Sequence, residues 1–191
     1  GIAYSQLSGN RQPMLDGSLT KRLQCGLAAR AAVVSSQLAG RGFTGATHFL
    51  SGRFGLFALF AQGTCDVGYL TQRLGERFVG GQDLLCKAYP CCSGAQGPIQ
   101  ATLELVREHD LPAEKLREIR VVVPKGVAGQ LGHPFVLGDS PQAQVQFNLS
   151  YLVACAAVNR TFGIREIEIE TIRQSHRVMR LADRVSVIAQ E

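Results

Sequence analysis

Leu116-Arg117-Glu118-Ile119-Arg120-Val121-Val122-Val123-Pro124 is the stretch that decides the fold. Four β-branched residues fall within five positions, and proline closes the run, so Leu116–Val123 reads as a strand ended by Pro124. Pro98 opens a helix before it, through Ile99, Leu103, Val106 and Arg107, with proline in its tolerated first turn. After it, residues 126–142 read as a loop, Val145–Val158 as an apolar helix, Glu170–Leu181 as an amphipathic helix and Arg184–Ala189 as a second strand. Strands separated by helices make this half α+β. A strand close to the last residue also suggests a sheet that continues, because its backbone groups need neighbours on both sides.

Upstream the pattern differs. Asp16-Gly17-Ser18 offers capping side chains before a run from Leu19 to Leu38, in which Leu23, Leu27, Ala31 and Val34 recur at helical spacing. Gly40-Arg41-Gly42 stops it. Further helices are expected over Arg53–Ala61 and near Tyr69–Arg77, and Leu84–Tyr89 reads as a short extended run. Composition changes at Gly80-Gly81. The chain is therefore divided into residues 1–80, part of a helical domain, and 81–191, part of a smaller α+β domain with a short sheet and packed helices.

The 191 residues carry 46% hydrophobic and 18% charged side chains, which suits a globule and not a disordered chain. The net charge is +5. Arg165, Arg173, Arg177, Arg180 and Arg184 alternate with Glu166, Glu168 and Glu170, as on a solvated helix face. With four tyrosines and no tryptophan, the composition argues against nucleic-acid binding. Six cysteines at irregular spacing, none in a C-x-x-C pair, read as reduced thiols of a cytoplasmic protein without a metal centre. The longest apolar stretch, Phe54–Ala61, is too short to span a bilayer. The chain begins at glycine, which is read as a sign of truncation.

Three stretches carry a resemblance. They are Gly17-Ser18-Leu19-Thr20-Lys21-Arg22-Leu23-Gln24-Cys25-Gly26-Leu27-Ala28-Ala29 with Gly42-Phe43-Thr44-Gly45, then Lys87-Ala88-Tyr89-Pro90-Cys91-Cys92, then Gln146-Phe147-Asn148-Leu149-Ser150-Tyr151. In this order they resemble the MmgE/PrpD family, which includes 2-methylcitrate dehydratase and cis-aconitate decarboxylase, and the similarity runs over the chain as an internal piece. The resemblance implies a lyase without metal or organic cofactor, acting on a di- or tricarboxylate, homodimeric, with its site in a cleft between a helical and an α+β domain. Lys21 and Lys87 match two of the family's active-site lysines. Gln24, Cys92 and Gln96 are assigned to substrate contact.

That assignment is chemically coherent. Ammonium groups hold carboxylates by charge-assisted hydrogen bonds and stabilise charge that develops on a carboxylate as a neighbouring proton leaves. From position alone Lys21 is a solvated lysine, whereas Lys87 sits in an apolar run, where a buried ammonium needs a partner. Cys91 and Cys92 read as packed thiols and Tyr151 as a core residue. His48, His109, His133 and His176 match no catalytic histidine of the family.

Two departures shape the functional expectation. The family often has histidine where this chain has Gln24, and a threonine–histidine pair at Ala95-Gln96. Glutamine hydrogen-bonds a carboxylate but is no acid or base near neutral pH. Family members are also more than twice as long and carry acid–base residues on upstream helices. The expectations are a dehydrating or decarboxylating lyase, with an epimerase or isomerase as a variant, or a non-catalytic oligomeric structural unit.

Overall fold

A computed structural model describes residues 1–7, 9–63, 65–78 and 84–190. In chain order these form α1 (Gln12–Leu15), α2 (Thr20–Gly40), α3 (Leu56–Phe60), α4 (Val67–Thr71), α5 (Gln96–Glu108), β1 (Ile119–Pro124), α6 (Lys125–Leu131), α7 (Pro141–Gln146), α8 (Leu149–Asn159), α9 (Ile169–Gln174), α10 (His176–Ala182) and β2 (Val185–Gln190). The architecture is α+β. The chain divides into two compact units: Gly1–Asn10 with Arg22–Leu85, and Arg11–Lys21 with Cys86–Glu191. The composition change at Gly80-Gly81 lies outside the described residues.

The first unit is helical and thinly packed. Its main element is the alanine-rich run of α2, which continues to Gly40 and is closed by Gly42 at positive φ, with the Phe43 N–H donating to Leu38 O at 3.0 Å. The apolar stripe at helical spacing is not buried: Leu23 and Val34 are exposed, and Leu27 and Ala31 only half-buried. Ser35 is the buried residue of α2; its Oγ donates to Ala31 O at 2.6 Å and accepts from Gln6 Nε2 at 2.9 Å. α3 and α4 are shorter than their sequence patterns suggest. The left-handed residues Gln62 and Arg73 turn the chain just past each of them.

The second unit contains the hydrophobic core. β1 and β2 pair in parallel, from Ile119 opposite Val185 to Pro124 opposite Gln190. α8 is buried from Leu149 to Ala157 on every side, as a helix apolar all round must be. It packs against α5, α10 and β2, with Ile99, Leu103 and Val106 supplying the α5 face.

Four sequence expectations need correction here. Leu84–Tyr89 joins no strand; the Tyr89 backbone groups are taken by a side chain, described below. Residues 126–142 are not a continuous loop, because α6 and α7 form there and bury Leu131, Pro141, Ala143 and Val145. The Val145–Val158 helix is interrupted at Phe147-Asn148, where Asn148 caps α8 by accepting the Tyr151 N–H at 2.9 Å. The Glu170–Leu181 helix is interrupted at Ser175, whose Oγ donates to Ile172 O at 2.6 Å in competition with the helix ladder.

Candidate functional site

The turn from Lys87 to Gln96 is built by side chains that act as backbone. Gln96 Oε1 accepts the Tyr89 N–H at 3.0 Å, and its Nε2 donates to Tyr89 O at 2.9 Å, with weaker approaches to Cys91 Sγ and Cys92 O. The carboxamide thus pairs with both polar groups of one residue, as a neighbouring strand would. Gln146 clamps the next residues: its Nε2 donates to Pro90 O at 2.6 Å, and its own carbonyl accepts the Cys92 N–H at 3.1 Å. On this fixed turn Lys87 folds back, and its Nζ donates to Cys91 O at 3.0 Å. Lys87 is exposed, contrary to the apolar setting its neighbours suggest, so one backbone bond leaves the ammonium open to solvent and to an anion.

Lys21 reaches the same neighbourhood of the chain from the other side. Gly17 adopts positive φ, and a Cβ there would lie 2.5 Å from Gln144 Cγ, so glycine lets residues 14–18 approach α7 closely. Ser18 Oγ accepts the Thr20 N–H at the start of α2. Lys21, half-buried, then places its Nζ 5.5 Å from the centroid of the Phe147 ring, a cation–π contact. Phe147 directly follows Gln146. Phe147 thus holds Lys21 directly, while Gln146 holds the Pro90–Cys92 backbone on either side of the carbonyl that Lys87 binds.

Cys92 is buried, and Gln130 Nε2 lies 3.5 Å from its Sγ and 3.0 Å from Met14 Sδ, while Arg11 holds the Gln130 carbonyl at 2.7 Å. Burial pushes the Cys91 thiol up to about 12; neighbouring Cys92 adds to this, while Lys87 and Gln96 oppose it. Cys91 is therefore not placed as a nucleophile, since the reactive form of cysteine is the thiolate. All six cysteines are free thiols. Gln24 belongs to the first unit, where its Nε2 donates to Asn10 O at 2.9 Å. Tyr151 is a core residue with its hydroxyl 3.0 Å from Ser175 Oγ.

Sequence reasoning missed Gln130, and it quoted Gln146 and Phe147 within a motif without giving either a role. Gln146 left one signal, its place at the head of the third motif, Gln146–Tyr151. A cavity of about 240 Å³ between residues 14–17 and 133–136 also went unforeseen. His133 lines it, and burial lowers its pKa, favouring the neutral ring. Among the described residues no three His, Cys, Asp or Glu side chains are grouped to hold a metal ion, and no helix is long and apolar enough to cross a membrane.

Lys87 thus sits on a glutamine-clamped turn, and Lys21 against the Phe147 ring, in an α+β unit with a parallel strand pair and a fully buried central helix. Residues 89–191 match the family model described as the MmgE/PrpD C-terminal domain, and the chain belongs to the MmgE/PrpD family. The match takes in the Tyr89–Cys92 turn, Gln96 and the Gln146–Asn148 segment; Lys21, Gln24 and Lys87 lie outside it. No curated protein matches the chain.

Proposed function

We propose that this chain carries part of the substrate-holding machinery of a cofactor-independent lyase that dehydrates a 2-methylcitrate-like acid or decarboxylates a related di- or tricarboxylate. The observation that carries this reading is the Lys87 ammonium, held by Cys91 O on a turn that Gln96 and Gln146 lock from opposite sides. A lysine prepositioned this way binds a carboxylate without first losing its own rotamer freedom. As a proton leaves the carbon next to that carboxylate, negative charge builds on its oxygens. A fixed ammonium stabilises that charge more than it stabilises the bound acid. Lys21 serves as the second cation and meets another carboxylate of the same substrate. Gln96 and Cys92 act through the shape of the turn, since the Gln96 carboxamide is already engaged by Tyr89.

The test is a turnover screen of the purified protein with 2-methylcitrate, citrate and cis-aconitate, followed by NMR in deuterated buffer. The expected outcome is product formation or deuterium entry into substrate, lost in Lys21→Ala and Lys87→Ala. Deuterium entry without a new product would move the reaction to epimerisation or isomerisation. A folded sample that neither turns over nor exchanges any of these acids would remove the lyase reading for this chain.

A second reading has its own support. In the first unit Phe54, Phe60, Leu74 and Phe78 are all about 70–80% exposed, an apolar surface suited to self-association. In this reading the chain is an oligomeric structural unit, and a second copy covers that surface. Sedimentation of a stable monomer with no apolar dye binding would dispose of it.

A further inference from the structure

The arginines of the C-terminal segment, expected as a plain solvated face, line a depression. Two concavities of the second unit, about 130 and 340 Å³, share Val158 and Arg177 as a common rim. Arg165 lies in the larger one, and Arg180 and Arg184 lie in the smaller. The arrangement follows from α10. Val178, Leu181 and Ala182 bury one side of that short helix. Arg177 and Arg180, three positions apart, share another side, and Arg184 follows the C-cap residue Asp183.

The charge in this depression is unbalanced. Of the residues lining either concavity, Glu114 is the one carboxylate, and it pairs with Arg177. That pair is exposed on both sides and therefore weak. Arg184 gives one Nη to Leu116 O at 3.3 Å, which leaves further donors of its fork available. Among the described residues the side chains of Arg165 and Arg180 have no hydrogen-bond or ion-pair partner. Four guanidiniums thus face one carboxylate over two joined hollows.

We infer that this depression binds an oligophosphate chain, with successive phosphates seated on either side of Arg177. Guanidinium forks match phosphate oxygens two at a time, and two hollows in a row suit a linear anion better than a compact one. Binding displaces the Glu114 carboxylate from Arg177 and requires no change in the core. The inference is independent of the lyase reading, because none of its residues belongs to the Lys21–Lys87 neighbourhood. Its shared chemistry is the phosphoanhydride chain, either free or as the tail of a nucleoside triphosphate.

The experiment is calorimetric titration of the whole chain with inorganic tripolyphosphate at low salt, repeated with orthophosphate, ATP, citrate and a single-stranded oligonucleotide. Tripolyphosphate is expected to bind more tightly than orthophosphate or citrate. Its affinity should fall by at least about tenfold in the Arg180→Ala/Arg184→Ala double variant, which removes two charged donors. Lys87→Ala and Arg173→Ala should leave it unchanged, the first separating this site from the proposed lyase site and the second showing that loss of a nearby arginine outside the lining has no effect. ATP bound more tightly than tripolyphosphate would make a nucleotide the source of the chain, and equal binding would make the phosphates alone sufficient. No tripolyphosphate binding below about 1 mM would overturn the inference. So would an equal loss in Arg173→Ala, or an oligonucleotide bound more tightly than tripolyphosphate through the same arginines.

Discussion

Replacing Gln96 by alanine should release the turn that carries Lys87. Gln96 makes two bonds of good length to Tyr89, 3.0 Å to its N–H and 2.9 Å from its own Nε2 to the carbonyl. Each is worth about 1 kcal/mol net, and the two longer approaches to Cys91 and Cys92 add little. Tyr89 is half-buried, so water reaches its freed groups and no large desolvation penalty is added. The expected loss is therefore about 2 kcal/mol, which corresponds to about a 30-fold change in a local opening equilibrium.

Amide hydrogen exchange is the direct assay, because the Tyr89 N–H donates to the group being removed. Its exchange should accelerate by about that factor in Gln96→Ala, with Cys92 following as the turn loosens. Gln96→Glu separates the two bonds. An acceptor for the Tyr89 N–H is retained, so protection there should persist, while the lost donor to Tyr89 O still lowers stability. A Tyr89 amide whose exchange changes by less than about threefold in Gln96→Ala would refute the clamp, since even one net bond of this kind exceeds that.

Two further outcomes follow from the core. Asn148→Ala removes a fully buried side chain that caps α8 and whose Nδ2 donates to His133 O at 2.7 Å; urea denaturation should show a loss of about 3 kcal/mol, and a loss below about 1 kcal/mol would mean that neither bond matters. Burial pushes Cys155 and Tyr151 up to about 12 from 9.0 and 10.0, so both stay protonated in the fold while the unfolded chain ionises first. Stability should hold below about pH 9 and fall as pH rises towards 12. The fall should be shallower in Cys155→Ala than in the parent, and an unchanged slope would contradict the stated cause.

Much of the second unit was legible because its signals are local. The β-branched run at Ile119–Val123 and the valine-rich end at Val185–Ile188 form the two strands, and the apolar run after Asn148 forms the buried helix. The strand begins at Ile119, later than its apolar pattern, because Leu116 N–H is drawn into a turn on Ala113 O at 3.2 Å. The first unit misled for the opposite reason. Leu23, Leu27, Ala31 and Val34 have the spacing of a core face, but periodicity states only that a face is apolar, not that anything covers it. At the candidate site the two lysines were singled out through a resemblance of motifs. The roles of Gln130, Gln146 and Phe147 were not legible because each acts on a partner far along the chain.

The sequence by itself determined the two strands, the helix opened at Pro98 and the buried apolar helix, that the second half is α+β, and the family to which the chain belongs. Tertiary structure decided the rest: where long apolar patterns break, at Asn148 and Ser175, how two glutamines replace a strand ladder at Tyr89 and Pro90, and how a stripe of arginines comes to line a hollow. Propensity and periodicity are properties of neighbours in sequence. Hydrogen-bond satisfaction and concavity depend on which remote groups the fold brings within about 3 Å of each other.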